Sequence, residues 1–424
     1  MSHRFVLAGD SCAGVLGGPH EATFARIASA MVPFARECDF ICFLGDHIVG
    51  ATKFHKPGAD ELCVQWTRWK SVYAPVAAAC SRTFHLTSNH NTFDAVSEEA
   101  FREAFPDLPQ NGPAEDRGLS YFVKPAEDLL LIATNSASSE LGPGRVETDW
   151  LAEVLEAHAD VPNKLVLGHY PILPVNGYAD YPMWRVPPSE GERFWALLVR
   201  HGVQAYLCSH IIAFDVRSKE GVLQVCTGGA GTNYGPGGFM RGNRQFHHFV
   251  DCQLEDGSLH LSAIDQQARE RAALKWPPTA LATHIAVDCD KGALNKLAKL
   301  DPIDGVRLEF VAQDFDSETS SDHRTLLCGS DLDEGPPTVW IGVEAGRLVA
   351  ELVLFPGGPV GRWLRQDGPP TDGFAIELRP EFGPGGVFLV DGDGARTTLE
   401  TSVSETIANI RWPKMWTVSS RSLT

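Results

Sequence analysis

The chain has 424 residues, room for two or three domains, and an apolar share of 43% that can fill a large core. It carries 36 basic and 54 acidic side chains, a net charge of −18, which argues against general nucleic-acid binding and against an anionic-membrane binder. No apolar run approaches the roughly 20 residues of a membrane helix.

The N-terminus reads as a first strand rather than a secretory leader: Phe5-Val6-Leu7-Ala8 is apolar and ends on Gly9-Asp10. Apolar residues at helical spacing predict a helix over Glu21–Arg36. Phe40-Ile41-Cys42-Phe43-Leu44 is the next strand and ends on Gly45-Asp46-His47. A helix over Asp60–Cys80 leads to Phe84-His85-Leu86-Thr87, a strand that ends on Ser88-Asn89-His90. Helix Ser97–Phe105, strand Leu129–Ala133 and helix Glu147–His158 follow. Leu165-Val166-Leu167 ends on Gly168-His169. After helix Ser189–His201, Ala205-Tyr206-Leu207-Cys208 ends on Ser209-His210. Strands Gly221–Thr227, Phe246–Cys252 and Ser258–Ile264 then come with no helix between them. The pattern is α/β, with a sheet that turns antiparallel at its end.

Residues 267–284 hold a charged, helix-like piece and Trp276-Pro277-Pro278, and read as a linker. Beyond them Leu308–Val311, Thr338–Val343, Arg347–Phe355, Gly373–Leu378 and Gly386–Val390 are short alternating runs between Gly, Pro and Asp turns. Only Lys291–Leu300 is helix-like there. Residues 285–424 are thus expected to form an all-β sandwich. Ten cysteines are scattered without a CxxC pair, which points to a reducing cytoplasm and no disulfide framework.

Five strands end on Asp, Asn or His. Such a side chain sits at the carboxyl edge of a sheet, where α/β enzymes assemble their sites. Each alone reads as a turn cap or a structural histidine; five in order, all hard or borderline ligands, point to one metal site. Mixed Asp, Asn and His ligation suits Mn, Fe or Zn and is too nitrogen-rich for calcium or magnesium. His85 lies inside a strand and reads as a core histidine, and His247-His248 as structural.

The order Asp…Gly-Asp…Asn-His…Gly-His…His, over about the first 265 residues, resembles the calcineurin-like metallophosphoesterases. The resemblance implies an αββα two-sheet sandwich over residues 1–266 around a dinuclear metal centre. It implies that Asp46 bridges both ions, that Asn89, His169 and His210 complete the second site, and that Asp10 belongs to the first. His90 would be a general acid or would stabilise charge on the leaving or phosphoryl oxygens. Two positions depart from the family pattern. Asp10-Ser11-Cys12 stands where the family has Asp-x-His, and Ser209-His210-Ile211-Ile212 where it has Gly-His-x-His. Both missing histidines serve the first ion. Cys12 as a thiolate ligand, another nearby side chain such as His47, and a single-ion enzyme all remain open. Val49 stands where the purple acid phosphatases have a tyrosine ligand.

The activity implied is hydrolysis of phosphomonoesters or phosphodiesters by hydroxide held on one or two divalent transition ions. The partner implied is a small phosphate ester. Tyr170–Pro188 carries Tyr170, Tyr178, Tyr181, Trp184 and Arg185, which suit a sugar or nucleoside ring beside a phosphate and read equally well as a packed loop. Lys53–Trp69 is a second stretch expected at the cleft, with His47 lining it. Gly228–Thr232 lacks the Lys and helix of a P-loop and reads as a turn at the site edge. Thr338–Val349 faintly resembles concanavalin-type lectin or laminin-G sandwiches. A homo-oligomer stays open. The rival reading is a non-hydrolytic binding scaffold that has lost the first metal; the complete second ligand set opposes it.

Overall fold

The computed structural model describes residues 2–418 except 53, 139–141, 144–145, 177–183, 234–245, 288–290, 302–304, 311–322, 331–337, 354–359, 366–367, 371–372 and 402–411. Two compact units emerge, one of residues 1–175, 179–217 and 222–278, the other of residues 176–178, 218–221 and 279–424. No helix among the described residues is long and apolar enough to cross a membrane.

The chain begins with β1 (Ser2–Ala8), α1 (Pro19–Ala35), β2 (Phe40–Phe43), α2 (Ala59–Ala79), β3 (Thr83–His85) and α3 (Ala95–Ala104). It continues with β4 (Tyr121–Ala126), β5 (Leu129–Ala133), the two-residue pair β6 (Ala137–Ser138) and β7 (Gly142–Pro143), α4 (Thr148–Ala157), β8 (Asn163–Leu167) and α5 (Pro188–Arg200). Then come β9 (Ala205–Cys208), β10 (Phe214–Lys219), β11 (Val222–Thr227), β12 (His248–Glu255), β13 (Ser258–Asp265) and β14 (Glu270–Trp276).

Two six-stranded sheets result, in the orders β14-β13-β12-β1-β2-β3 and β10-β11-β9-β8-β5-β4. Strands β1, β2 and β3 run parallel, joined by α1 and α2; β5, β8, β9 and β11 run parallel in the second sheet. Phe5, Val6, Leu7 and Ala8 are fully buried, as are all of β2 and β8. Burial on both faces explains their continuous apolar runs. Parallel pairing puts every strand end of one sheet at one edge: Ala8 is level with Phe43, Phe43 with His85, and Leu167 with Leu207. The loops bearing Asp10, Asp46 and Asn89 therefore leave one edge, and those bearing His169 and His210 leave the other. This is the αββα architecture the resemblance implied.

Three of the longer strands of the first unit escaped the sequence pattern. β4 carries Lys124 and Pro125, tolerated because it is an edge strand. β10 buries Asp215 and Arg217, which breaks its apolar alternation. Glu270–Trp276, inside the expected linker, is β14: it pairs with β13 from Leu259↔Trp276 to Ile264↔Glu270. A free sheet edge overrides the helical propensity of its alanines. Lys53–Trp69 is also corrected, because α2 begins at Ala59 and turns Trp66 and Trp69 into the core.

Those indoles belong to an aromatic layer under β2 and β3. Phe24, Trp69 and Tyr73 stack at 4.7–6.4 Å, with Phe43 edge-on to each. His47 lies inside this layer, fully buried and 4.3 Å from Phe43. The expectation that it lines the cleft is thus overturned. Asn91 Nδ2 donates to His47 Nδ1 at 2.5 Å, so Nε2–H donates to His85 Nδ1 at 3.0 Å. Burial, and after it the neighbouring ring, pushes His47 well below the usual imidazole range; burial and then Lys70 push His85 down to about 3.

In the second unit, strands His284–Val287, Val306–Phe310, Phe374–Leu378, Val387–Val390 and Arg396–Thr398 form one sheet in that order. Glu400–Thr401, Val360–Arg365, Arg347–Val353, Val339–Glu344, His323–Ser330 and Met415–Val418 form the other. Leu308, Ile376 and Leu389 of the first share one buried cluster with Leu327, Ile341, Leu352 and Trp363 of the second. A helix spans Lys291–Leu297.

The neutral His47–His85 pair makes stability fall with acid. Below the unfolded imidazole pKa of about 6.5 the unfolded chain binds protons that the folded pair refuses, so stability is complete above that pH and declines beneath it. Denaturant unfolding is expected to lose up to about 1.4 kcal/mol per pH unit per refused proton between roughly pH 6 and 4. The slope is expected to be shallower in His85→Gln; an equal slope places the uptake elsewhere.

Candidate metal centre

Side chains from five loops converge where the two sheet edges meet. His169 Nδ1 lies 2.8 Å from the carbonyl of Leu44, and a carbonyl only accepts. Nδ1 therefore carries the proton, and the neutral ring presents a lone pair at Nε2. That lone pair faces Asn89 Oδ1 at 2.9 Å and Asp46 Oδ1 at 3.6 Å. His210 Nδ1 lies 3.1 Å from the same Asn89 oxygen. Ligand atoms of Asp46, His169 and His210 all fall within 4.8 Å of one another.

A lone pair facing the buried Asp46 carboxylate is unfavourable unless a positive charge lies between them. Protonating His169 is opposed, since burial, ahead of the favourable pull of Asp46, lowers its pKa. A cation resolves the conflict, and the oxygen and imidazole donors suit a first-row divalent ion. Asp46 is prepared for one. Burial works against its charge, but His90, His169, the Ser88 hydroxyl and His210 together hold its pKa below the ordinary value.

Asp10 abuts Asp46. Its Oδ2 accepts from the Ser209 hydroxyl and, at 2.9 Å, from the His210 N–H. Burial and then the Asp46 charge raise the Asp10 pKa well above the carboxylate range. Cys12 is also buried, and its thiol is raised by burial and then by Asp46 and Asp10. His90 directs Nδ1–H to the Val49 carbonyl at 2.6 Å and leaves Nε2 4.0 Å from Asp46 Oδ2. Cys12, Asp46 and His90 form a second group whose ligand atoms lie within 4.8 Å of one another.

The backbone is strained where it aims these groups. Eight non-glycine residues among those described have positive φ. Glu220, Asp256, Ala268 and Ala345 sit in turns between strands; Asp10 (φ 61°), Cys12 (41°), Asp46 (49°) and His210 (65°) sit in this site. Each such residue costs about 1–3 kcal/mol and persists only where its surroundings hold it. Four fully buried serines do much of the holding. Ser88 Oγ accepts from Asp46 N (2.8 Å) and Ser136 Oγ from His169 N (2.8 Å). Ser11 donates to the His47 carbonyl (2.6 Å) and accepts from the Trp69 indole (3.0 Å), while Ser209 grips Asp10. Ser11, Ser88 and Ser209 each adjoin a ligand in sequence, the one signal that could have found them.

Other expectations divide. Tyr170 is 3% exposed and packs its ring 4.1 Å from that of His210, so it buttresses a ligand. Trp184 lies 5.8 Å from the same ring. Arg185 donates to the Ile172 carbonyl at 3.4 Å. Tyr178 and Tyr181 lie outside the described residues. The Gly228–Thr232 turn does edge the site: Ala230 N bonds the Gly9 carbonyl and Thr232 N the Asp10 carbonyl, at 2.9 and 2.8 Å. His248 is structural, between Phe246 and Thr227. His20 went unforeseen; burial and then nearby His90 lower its pKa.

Gly45 is indispensable to this packing. At φ +100°, a Cβ there would lie 2.7 Å from His169 Nδ1 and from Ser88 Cβ. Gly45→Ala is expected to destabilise the chain by roughly 2–3 kcal/mol in denaturant unfolding and to weaken metal binding in calorimetry. Binding should also release protons from Asp10 and Cys12, seen as a dependence of the calorimetric heat on the ionisation enthalpy of the buffer.

No protein-family model matches this chain, and no curated protein does. Among solved structures it is similar to a purple acid phosphatase from yellow lupin (Lupinus luteus) seeds, with 14% identity, TM-score 0.48, and coverage of 67% of this chain and 57% of that one. It is similar to GAP50, the anchor in the inner membrane complex of Plasmodium (14%, 0.48, 66% and 90%). A dimetal phosphatase from Danio rerio is also similar (15%, 0.46, 64% and 98%). The chain thus spans little more than half of the lupin protein. Likeness at this level carries nothing about activity. Two sheets whose parallel strands are joined by crossover helices, with Asp, Asn and His just past the strand ends, are the arrangement that the sequence resemblance implied.

Proposed function

We propose that the protein is a metal-dependent hydrolase of small phosphate esters. The observation that carries this reading is the His169 lone pair, fixed by the Leu44 carbonyl and set against Asn89 and Asp46. A site of buried acceptors without a cation would only weaken the fold. Asp46, Asn89, His169 and His210 would hold the ion. When bound, a divalent transition metal supplies Lewis acidity toward a phosphoryl oxygen and acidifies water near neutral pH.

The chain's own groups do the rest. Asp46 keeps its pKa below the ordinary carboxylate value although burial opposes its charge, and the Ser88 hydroxyl helps to hold it there. Tyr170 keeps the His210 ring in place and water away from its face. The net charge of −18 leaves a phosphate dependent on local positive charge, which these ligands would gather. Substrates with a sugar or nucleoside ring fit the indole of Trp184 beside His210.

The test is elemental analysis of the purified chain with a screen of phosphomonoesters and phosphodiesters under Mn, Fe and Zn. Turnover is expected, with at least one ion per chain. His169→Ala is expected to lose an ion and to lower turnover about a hundredfold or more. Absence of both metal and turnover under every ion would replace the hydrolase with a binding scaffold.

A further inference from the structure

We infer that this chain has rebuilt its other metal site from a different donor set: Cys12 Sγ, Asp46 and His90 Nε2, in place of two imidazoles. The inference rests on the proposed metal centre and goes further, because it names a soft ligand, a class of ion and a changed role for His90.

Three observations carry it. First, Cys12, Asp46 and His90 offer ligand atoms within 4.8 Å of one another, and Asp46 is also in the Asp46–His169–His210 group. One carboxylate shared by two triads is the layout a two-ion centre needs. Second, Cys12 adopts φ +41°, left-handed like Asp10, Asp46 and His210. Among the described residues this conformation falls either in turns between strands or on this site. A cysteine that merely filled core space would not require it. Third, the loop is fastened so that its other side chain faces away: Ser11 is tied to the His47 carbonyl and the Trp69 indole, leaving Asp10 and Cys12 to the site. Cys12 N bonds the Asp46 carbonyl at 2.8 Å, which locks the two ligand loops in register.

His90 has the orientation of a ligand. With Nδ1–H on the Val49 carbonyl, its free nitrogen is Nε2, on the side of Asp46 and Cys12. A neutral imidazole so engaged offers its Nε2 lone pair to an ion, which is the role His90 takes in this donor set. A thiolate, an imidazole and a carboxylate select zinc or iron over manganese or magnesium. The two sites would then differ in softness.

The experiment uses the full chain loaded with zinc or cobalt alone. X-ray absorption at the zinc edge is expected to show a sulfur scatterer at about 2.3 Å. The cobalt form is expected to show a thiolate-to-cobalt charge-transfer band in the near ultraviolet. Cys12→Ser should remove both signals and one ion per chain, with circular dichroism unchanged. His169→Ala should keep both signals while losing the other ion. Two bound ions with only nitrogen and oxygen scatterers in the native chain would overturn the inference and leave the hydrolase reading standing. Sulfur persisting in Cys12→Ser would overturn it as well, by placing the thiolate elsewhere. No ion bound at all would bring down both.

Discussion

Lone pairs and carboxylates facing one another in a largely buried site are the constraint around which the first unit is organised. His169 and Asn89 present acceptors toward Asp46, which Asp10 abuts, and burial of His169, Asp46 and Asp10 limits the water that would relieve them. Such an arrangement is stabilised by a cation or a proton. The Leu44 carbonyl sets the tautomer of His169. Ser88, Ser136 and Ser209 satisfy the groups that are left over.

This strained edge is supported from beneath by a rigid layer. Phe24, Phe43, Trp69 and Tyr73 form a continuous aromatic packing between α1, α2 and the first sheet. Trp69 reaches from it to Ser11, and His47 reaches from it to Asn91. Core packing and ligand geometry are thus one system. Apolar burial supplies the free energy that holds left-handed backbone at Asp10, Cys12, Asp46 and His210.

The departures from the family pattern gain a physical meaning from this geometry. Ile212 cannot coordinate, so the last strand-end loop contributes His210 alone. The loss falls on one side of Asp46, the side where Cys12 and His90 converge. In the proposed donor set, a change at one ligand position would be offset by a group already within reach, because Asp46 belongs to both candidate groups.

The sequence by itself determined the strands, the helices between them and which Asp, Asn and His stand at the strand ends as candidate ligands. These follow from local information: apolar runs, helical spacing, and Asp, Asn or His at each strand end. Helices α1 to α5 and the strands before Asp10, Asp46, Asn89, His169 and His210 therefore lay within a few residues of their observed bounds. Only the tertiary structure decided what each side chain faces. His47 follows Asp46 directly, yet a turn of the backbone sends one to the metal centre and the other into the aromatic core. Glu270–Trp276 became a strand because β13 offered an unpaired edge, which no local pattern records. Cys12 was one open account among three until folding brought it beside Asp46 and His90. Chain neighbours share a pattern, but partners across two sheets are chosen by packing, and chemistry depends on the partners.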